Sequence, residues 1–194
     1  MIPALRTAHA TAKACPPKRW RGKTVPVQRL LKHKPPRLEL IFRRSNCPVY
    51  FVTFNTHARA NLLAQPEIHD GFVEYCRRAT DFRIGVGRYV VMPDHIHLFV
   101  CFGIGSTTRL GVWIKGLKRD LDRVLLSMGC KPLQLAGQRF SSFWQPGFND
   151  HLLRSDESYA KKWEYVLRNP ERAGLVAQAE DWPYAGEIVR IDRT

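Results

Sequence analysis

Two strand-length runs, Ile84–Val91 and His95–Phe102, flank the tripeptide Met92-Pro93-Asp94. This arrangement constrains the fold more than any other stretch of the chain. Proline presets φ, and the aspartate side chain can bond the backbone just beyond it, so Pro93-Asp94 suits a hairpin turn. Strand side chains alternate between faces. His95, His97, Phe99 and Cys101 therefore share one face, and Ile96, Leu98 and Val100 share the other. Same-face neighbours on a strand lie roughly 6.5–7 Å apart at Cα, and two imidazoles at that spacing can converge on one metal ion.

Val49-Tyr50-Phe51-Val52-Thr53-Phe54-Asn55-Thr56 is rich in β-branched and aromatic residues and predicts a strand. Over residues 65–80, Ile68, Phe72, Val73 and Cys76 recur at helical spacing. Thr107 to Met128 predicts a long amphipathic helix, with Leu110, Ile114, Leu117, Leu121, Val124, Leu125 and Met128 as its stripe. Thr107 or Thr108 is the expected N-cap and Gly129 the C-cap. Residues 140–154 predict a fourth strand after a loop through Pro146-Gly147. Asp156 to about Asn169 predicts the last helix, with Ser155 as its cap and Pro170 limiting it. The order β-α-β-β-α-β and a further helix predicts the α+β class. The expected architecture is a ferredoxin-like antiparallel sheet with an additional C-terminal helix.

The chain carries 31 Lys and Arg against 17 Asp and Glu, a net charge of +14. That excess predicts a polyanionic partner, nucleic acid first and anionic membrane second. No apolar run approaches the roughly 20 residues of a spanning helix, so a membrane protein is not expected. The five cysteines are odd in number and scattered, with no C-x-x-C pair. They predict reduced thiols in a cytoplasmic protein. No apolar secretory segment opens the chain. Residues 1–41 interleave Pro16, Pro17, Pro26, Pro35 and Pro36 with Lys18, Arg19, Arg21, Lys23, Arg29 and Arg37. They are expected to be a basic arm, either extended against nucleic acid or the domain surface or a disordered tail. The domain spans 42–188, with residues 189–194 as a tail.

A His-x-His pair on a strand has two readings. It is a metal-binding pair, or one half-buried and one rim histidine of an ordinary sheet. Tyr165 and Asn169 are four apart, hence one turn apart on one helix face. A tyrosine hydroxyl and an amide oxygen can thus be aimed together. Two histidines and an amide oxygen form a mixed N/O donor set, suited to Mg²⁺ or Mn²⁺ on a phosphate rather than to closed structural zinc. The bland reading of Tyr165 is amphipathic packing. Tyr159 falls on a different helix face, Tyr50 and Tyr89 lie in strands, and Tyr184 follows Trp182-Pro183 as a packing anchor.

Val91-Met92-Pro93-Asp94-His95-Ile96-His97-Leu98 resembles the HUH motif of single-tyrosine transposases, where U is a bulky apolar residue. Segments 143–151 and 165–176 and the closing Asp181-Trp182-Pro183-Tyr184 resemble the same group. Together they resemble its REP-associated tyrosine transposase branch, over roughly residues 42–188. The resemblance implies a metal-dependent single-strand DNA endonuclease and strand transferase. Its substrates would be repetitive extragenic palindrome hairpins with a short guide sequence, handled through a 5′-phosphotyrosine intermediate. It implies His95 and His97 as metal ligands, Asn169 as the third ligand and Tyr165 as the nucleophile. Asp150 and His151 match a motif near the site without an assigned role. Mg²⁺ or Mn²⁺ is the expected cofactor. A bacterial, nucleoid-associated monomer or homodimer is the expected state.

Single-stranded DNA binding calls for a basic groove and aromatic platforms. Arg43, Arg44, Lys115, Lys118, Arg119 and Arg123 are candidates for the groove, and Trp113, Phe143 and Trp144 for stacking. For these aromatics the alternative is core packing, and for the helix charges a solvated face. The arm from Lys18 to Arg37 is a candidate grip on stem phosphates. Two other functions compete. One is a domesticated, non-catalytic binder of hairpin repeats, which cleavage by the tyrosine would distinguish. The other is an RNA-binding ferredoxin-like domain, whose aromatic pattern is not evident at 95–101.

Overall fold

The computed structural model describes residues 47–133, 142–153 and 156–191. The basic arm, Cys15, Arg43, Arg44, Ser155 and the last three residues lie outside the described residues. The elements are β1 (Val49–Asn55), α1 (Pro66–Arg78), β2 (Ile84–Val91), β3 (His95–Phe102) and α2 (Leu110–Ser127). They continue with β4 (Asn149–Leu153), α3 (Asp156–Leu167), the single turn α4 (Asn169–Arg172) and β5 (Ala185–Glu187). The five strands form one antiparallel sheet in the order β4-β1-β3-β2-β5. The first four keep the ferredoxin-like order expected of the βαββαβ pattern.

The alternation along β3 divides the molecule. Ile96, Leu98 and Val100 enter the larger core with Phe72, Ile114, Leu117 and Leu121 from α1 and α2. Phe99 and Cys101 enter a smaller core with Val49, Leu153, Val189 and Ile191, against which Tyr159 and Trp163 of α3 pack. Both faces of β3 are thus covered at its C-terminal half. His95 and His97 sit on the α3 face at the other end. Burial of each large apolar side chain here contributes about 1.5–3 kcal/mol, which makes the central strand a rigid mount for the histidines. At Gly87, where the β2–β3 register shifts, an added Cβ would lie 2.8 Å from Ile191 Cδ1.

Several boundaries differ from those expected. β1 ends at Asn55, opposite the first residue of β3, and Thr56 N still reaches Asp94 O at 2.9 Å in the same register. α2 begins at Leu110 with Arg109 as N-cap in extended conformation, so neither Thr107 nor Thr108 caps it. Gly129 holds φ +79°, the left-handed terminator expected after α2. α3 stops at Leu167 and α4 restarts at Asn169; the pyrrolidine of Pro170 has no N–H to continue the ladder. β5 was not expected, since three residues carry too little pattern. Residues 189–191 are no tail: Val189 and Ile191 are buried, and Val189 N donates to Val86 O. Among the described residues no helix is long and apolar enough to cross a membrane. Cys47, Cys76, Cys101 and Cys130 form no disulfide.

Candidate functional site

The tight turn after β2 is closed by Met92 N donating to His95 O at 2.8 Å. It sets His95 and His97 side by side, their Nε2 atoms 3.1 Å apart and their ring planes at 85°. Each Nδ1 has its own partner. His95 Nδ1 lies 2.6 Å from Asp94 Oδ1, and His97 Nδ1 lies 2.8 Å from Thr53 Oγ1. A carboxylate only accepts, so His95 Nδ1 carries the proton and its Nε2 presents a lone pair. In the tautomer where His97 Nδ1 accepts from the Thr53 hydroxyl, its Nε2–H donates to that lone pair. A hydroxyl can also accept, so Thr53 equally supports the tautomer in which both Nε2 atoms offer lone pairs.

Burial pushes His97 down to about 3, with His95, Arg59 and Lys162 adding repulsion. Burial also lowers His95, although Asp94 partly opposes it. Both rings are therefore neutral at pH 7, as ligands must be. At metal–nitrogen distances of about 2.1 Å, nitrogens 3.1 Å apart subtend an angle of about 95°, close to that of neighbouring octahedral ligands. The donor set fits a divalent cation with open positions. Among the described residues no group of three or more His, Cys, Asp or Glu could hold a metal.

α3 crosses the histidine face of the sheet. Tyr159 packs on Phe99 with ring centroids 4.5 Å apart, and Val166 is fully buried. Lys162 Nζ sits 5.1 Å from the Phe51 ring, which itself stacks on His97 at 5.4 Å. The helix thus runs from the level of Phe99 toward the histidines. Lys162 and Tyr165 follow at i and i+3 on α3, whereas Asn169 opens α4 beyond the break at Arg168. Tyr165 is 58% exposed. Arg172 joins it to Asn169: its guanidinium lies 4.0 Å from the Tyr165 ring centre, and Nη2 donates to Asn169 Oδ1. The structure therefore pairs His95 with His97, and Tyr165 with Asn169. The tie between these pairs is Lys162 of α3, whose Nζ lies over the Phe51 ring that stacks on His97.

No family model matches the chain. It is 27% identical over 139 residues to a Haemophilus influenzae protein named among the REP-associated tyrosine transposases, covering 71% of this chain and 78% of that one. It is 25% identical over 138 residues to the REP-associated tyrosine transposase of Escherichia coli, covering 70% and 74%. The chain is thus similar to REP-associated tyrosine transposases. A solved structure of such a transposase bound to a REP hairpin shares the fold, with TM-score 0.53 and 22% identity over 71% of this chain and 75% of that one.

The other expected site residues scatter. His151 pairs with Phe51 and Asn149 with Thr53, so both lie on the histidine face of edge strand β4; Asp150 pairs with Val52 and belongs to the other face. Lys115, Lys118, Arg119 and Arg123 lie on α2, which covers the sheet face opposite the histidines. Lys115, Arg119 and Arg123 are exposed. Lys118 is engaged within the protein: Nζ donates to Gln145 O and Gly147 O and sits 5.3 Å from the Phe54 ring. Burial pulls it down to about 8. Of the two readings of the aromatics, core packing holds. Trp113, Phe143 and Trp144 are buried in the larger core, and Trp144 Nε1 donates to Asp122 Oδ1. Sequence reasoning missed Thr53, Arg59 and Arg172. Thr53 was legible in principle, since the β1–β3 register places it opposite His97.

Proposed function

We propose that the chain is a metal-dependent endonuclease and strand transferase acting on single-stranded DNA beside repetitive extragenic palindrome hairpins. Relatives named as REP-associated tyrosine transposases and a shared fold with a hairpin-bound transposase support the reading. The observation that carries it is the facing Nε2 pair of His95 and His97, 3.1 Å apart, with each Nδ1 held. His95, His97 and the amide oxygen of Asn169 would hold Mg²⁺ or Mn²⁺, once Arg172 releases that oxygen. A divalent ion bound there supplies Lewis-acid polarisation of the scissile phosphate.

The chain's own part is nucleophilic. The Tyr165 hydroxyl oxygen bonds to phosphorus while the P–O3′ bond breaks. The phenolic proton leaves to solvent, and the departing 3′-oxygen takes one up. The products are a 5′-phosphotyrosine and a free 3′-OH. The new ester conserves the phosphodiester bond energy, so a 3′-OH can reseal it by the reverse attack without ATP. Exposure of Tyr165 suits a nucleophile that must meet a DNA strand.

The test is incubation with hairpin oligonucleotides from repeats near the gene, with Mn²⁺, Mg²⁺ or EDTA, read on a denaturing gel. A metal-requiring covalent adduct, lost in Tyr165→Phe while hairpin binding persists, is expected. Hairpin binding without an adduct under either metal would refute the enzymatic reading and leave a non-catalytic hairpin binder.

A further inference from the structure

The segment after β1 grips the histidine hairpin. Thr56 N donates to Asp94 O at 2.9 Å, and the buried Thr56 hydroxyl shares its proton between that oxygen at 3.0 Å and Ala60 O at 2.8 Å. Leu62 N and Leu63 N both donate to Pro93 O at 2.8 Å. Arg59 completes the grip with its side chain. Its Nε lies 2.7 Å from Asp94 Oδ2, and its Nη1 donates to Asn55 Oδ1 at 2.7 Å. Asn55 in turn donates to Gln145 Oε1.

Two features separate this from an ordinary surface ion pair, which is worth little. Asp94 is only 18% exposed, and both its oxygens are committed, one to Arg59 and one to His95. Ala58 and Arg59 both hold left-handed backbone, φ 52° and 55°, without being glycine. L-residues adopt that conformation in succession only where the surroundings over-determine it, and such strain gathers at functional sites. Here it aims the Arg59 guanidinium at Asp94.

We infer that Arg59 is a positioning residue: by holding Asp94 it fixes the Nδ1–H tautomer of His95 and keeps the Nε2 lone pair turned toward His97. The inference rests on the metal site proposed above. Without Arg59 the carboxylate is free to rotate. It then no longer dictates which His95 nitrogen is protonated, and it can itself compete for a cation. Removing the partner that orients a ligating histidine typically weakens metal binding about 10–100-fold.

The test uses the full chain as wild type, Arg59→Ala and Arg59→Gln. Ring ¹⁵N–¹H spectra of the metal-free protein at pH 7.5 report the His95 tautomer, assigned with His95→Gln. Calorimetric Mn²⁺ titration reports affinity. Wild type should show the Nδ1–H form; Arg59→Ala should show mixed tautomers and Mn²⁺ binding about 10–100-fold weaker. An unchanged tautomer with affinity within about twofold of wild type overturns the inference. If Arg59→Ala does not fold, Arg59→Gln, which keeps an amide donor but no charge, decides by the same two readings. Wild-type protein that binds no Mn²⁺ would instead defeat the proposed metal site, and the tautomer then judges Arg59 alone.

Discussion

Acidification should destabilise the metal-free fold through His97. The folded ring is held down to about 3, whereas an unfolded histidine titrates near 6.5. Between pH 7.5 and 5.0 the folded ring stays neutral while the unfolded chain takes up nearly a full proton. The unfolded state thus binds more protons below pH 6.5, and stability falls as pH drops from there toward 3. At pH 5.0 the interval is about 1.5 pH units, which at about 1.4 kcal/mol per unit costs about 2 kcal/mol. Burial lowers His95 and His69 as well, so the wild-type loss includes their shares. The His97 share is isolated by urea unfolding in EDTA of wild type and His97→Asn at the two pH values. Wild type should lose about 2 kcal/mol more than the variant on acidification. Equal losses, within about 0.5 kcal/mol of extrapolation error, would mean that the folded ring protonates freely. The dry, neutral pair described above would then be wrong.

Leu121→Ala should cost about 2–5 kcal/mol in urea unfolding, because Leu121 is fully buried between α2 and the sheet and a cavity would remain. Trp144→Phe should cost about 1–3 kcal/mol in the same assay, since it strips Asp122 of its indole donor at a half-buried position. Arg172→Ala should leave stability within about 0.5 kcal/mol, as expected of an exposed side chain. It should slow adduct formation by roughly tenfold or more, because Tyr165 loses the guanidinium that aligns its ring. A quench-flow or gel time course checks the latter.

The bounds of β2 and β3 were legible to the residue, because a Pro-Asp turn separates two strand-like runs. The seven-residue stripe of α2 was equally plain. That His95 and His97 share one face follows from local periodicity alone, whereas Tyr165 and Asn169 lie on either side of a helix break and are joined by Arg172. What could not be read were features whose cause lies elsewhere in the chain. β5 exists because β2 offers an open edge. Trp113, Phe143 and Trp144 look like platforms in a list of aromatics and become core once α2 docks on the sheet. The α2 charges named as groove candidates lie across the sheet from the histidine pair, a separation only the packing decides. Arg59 is the sharpest case. Local preference opposes left-handed backbone at both Ala58 and Arg59, so no rule of sequence would aim that guanidinium at Asp94. Periodicity along the chain determined which side chains share a face. Only the packing of that face against distant segments decided which of them became neutral, oriented and close enough for chemistry.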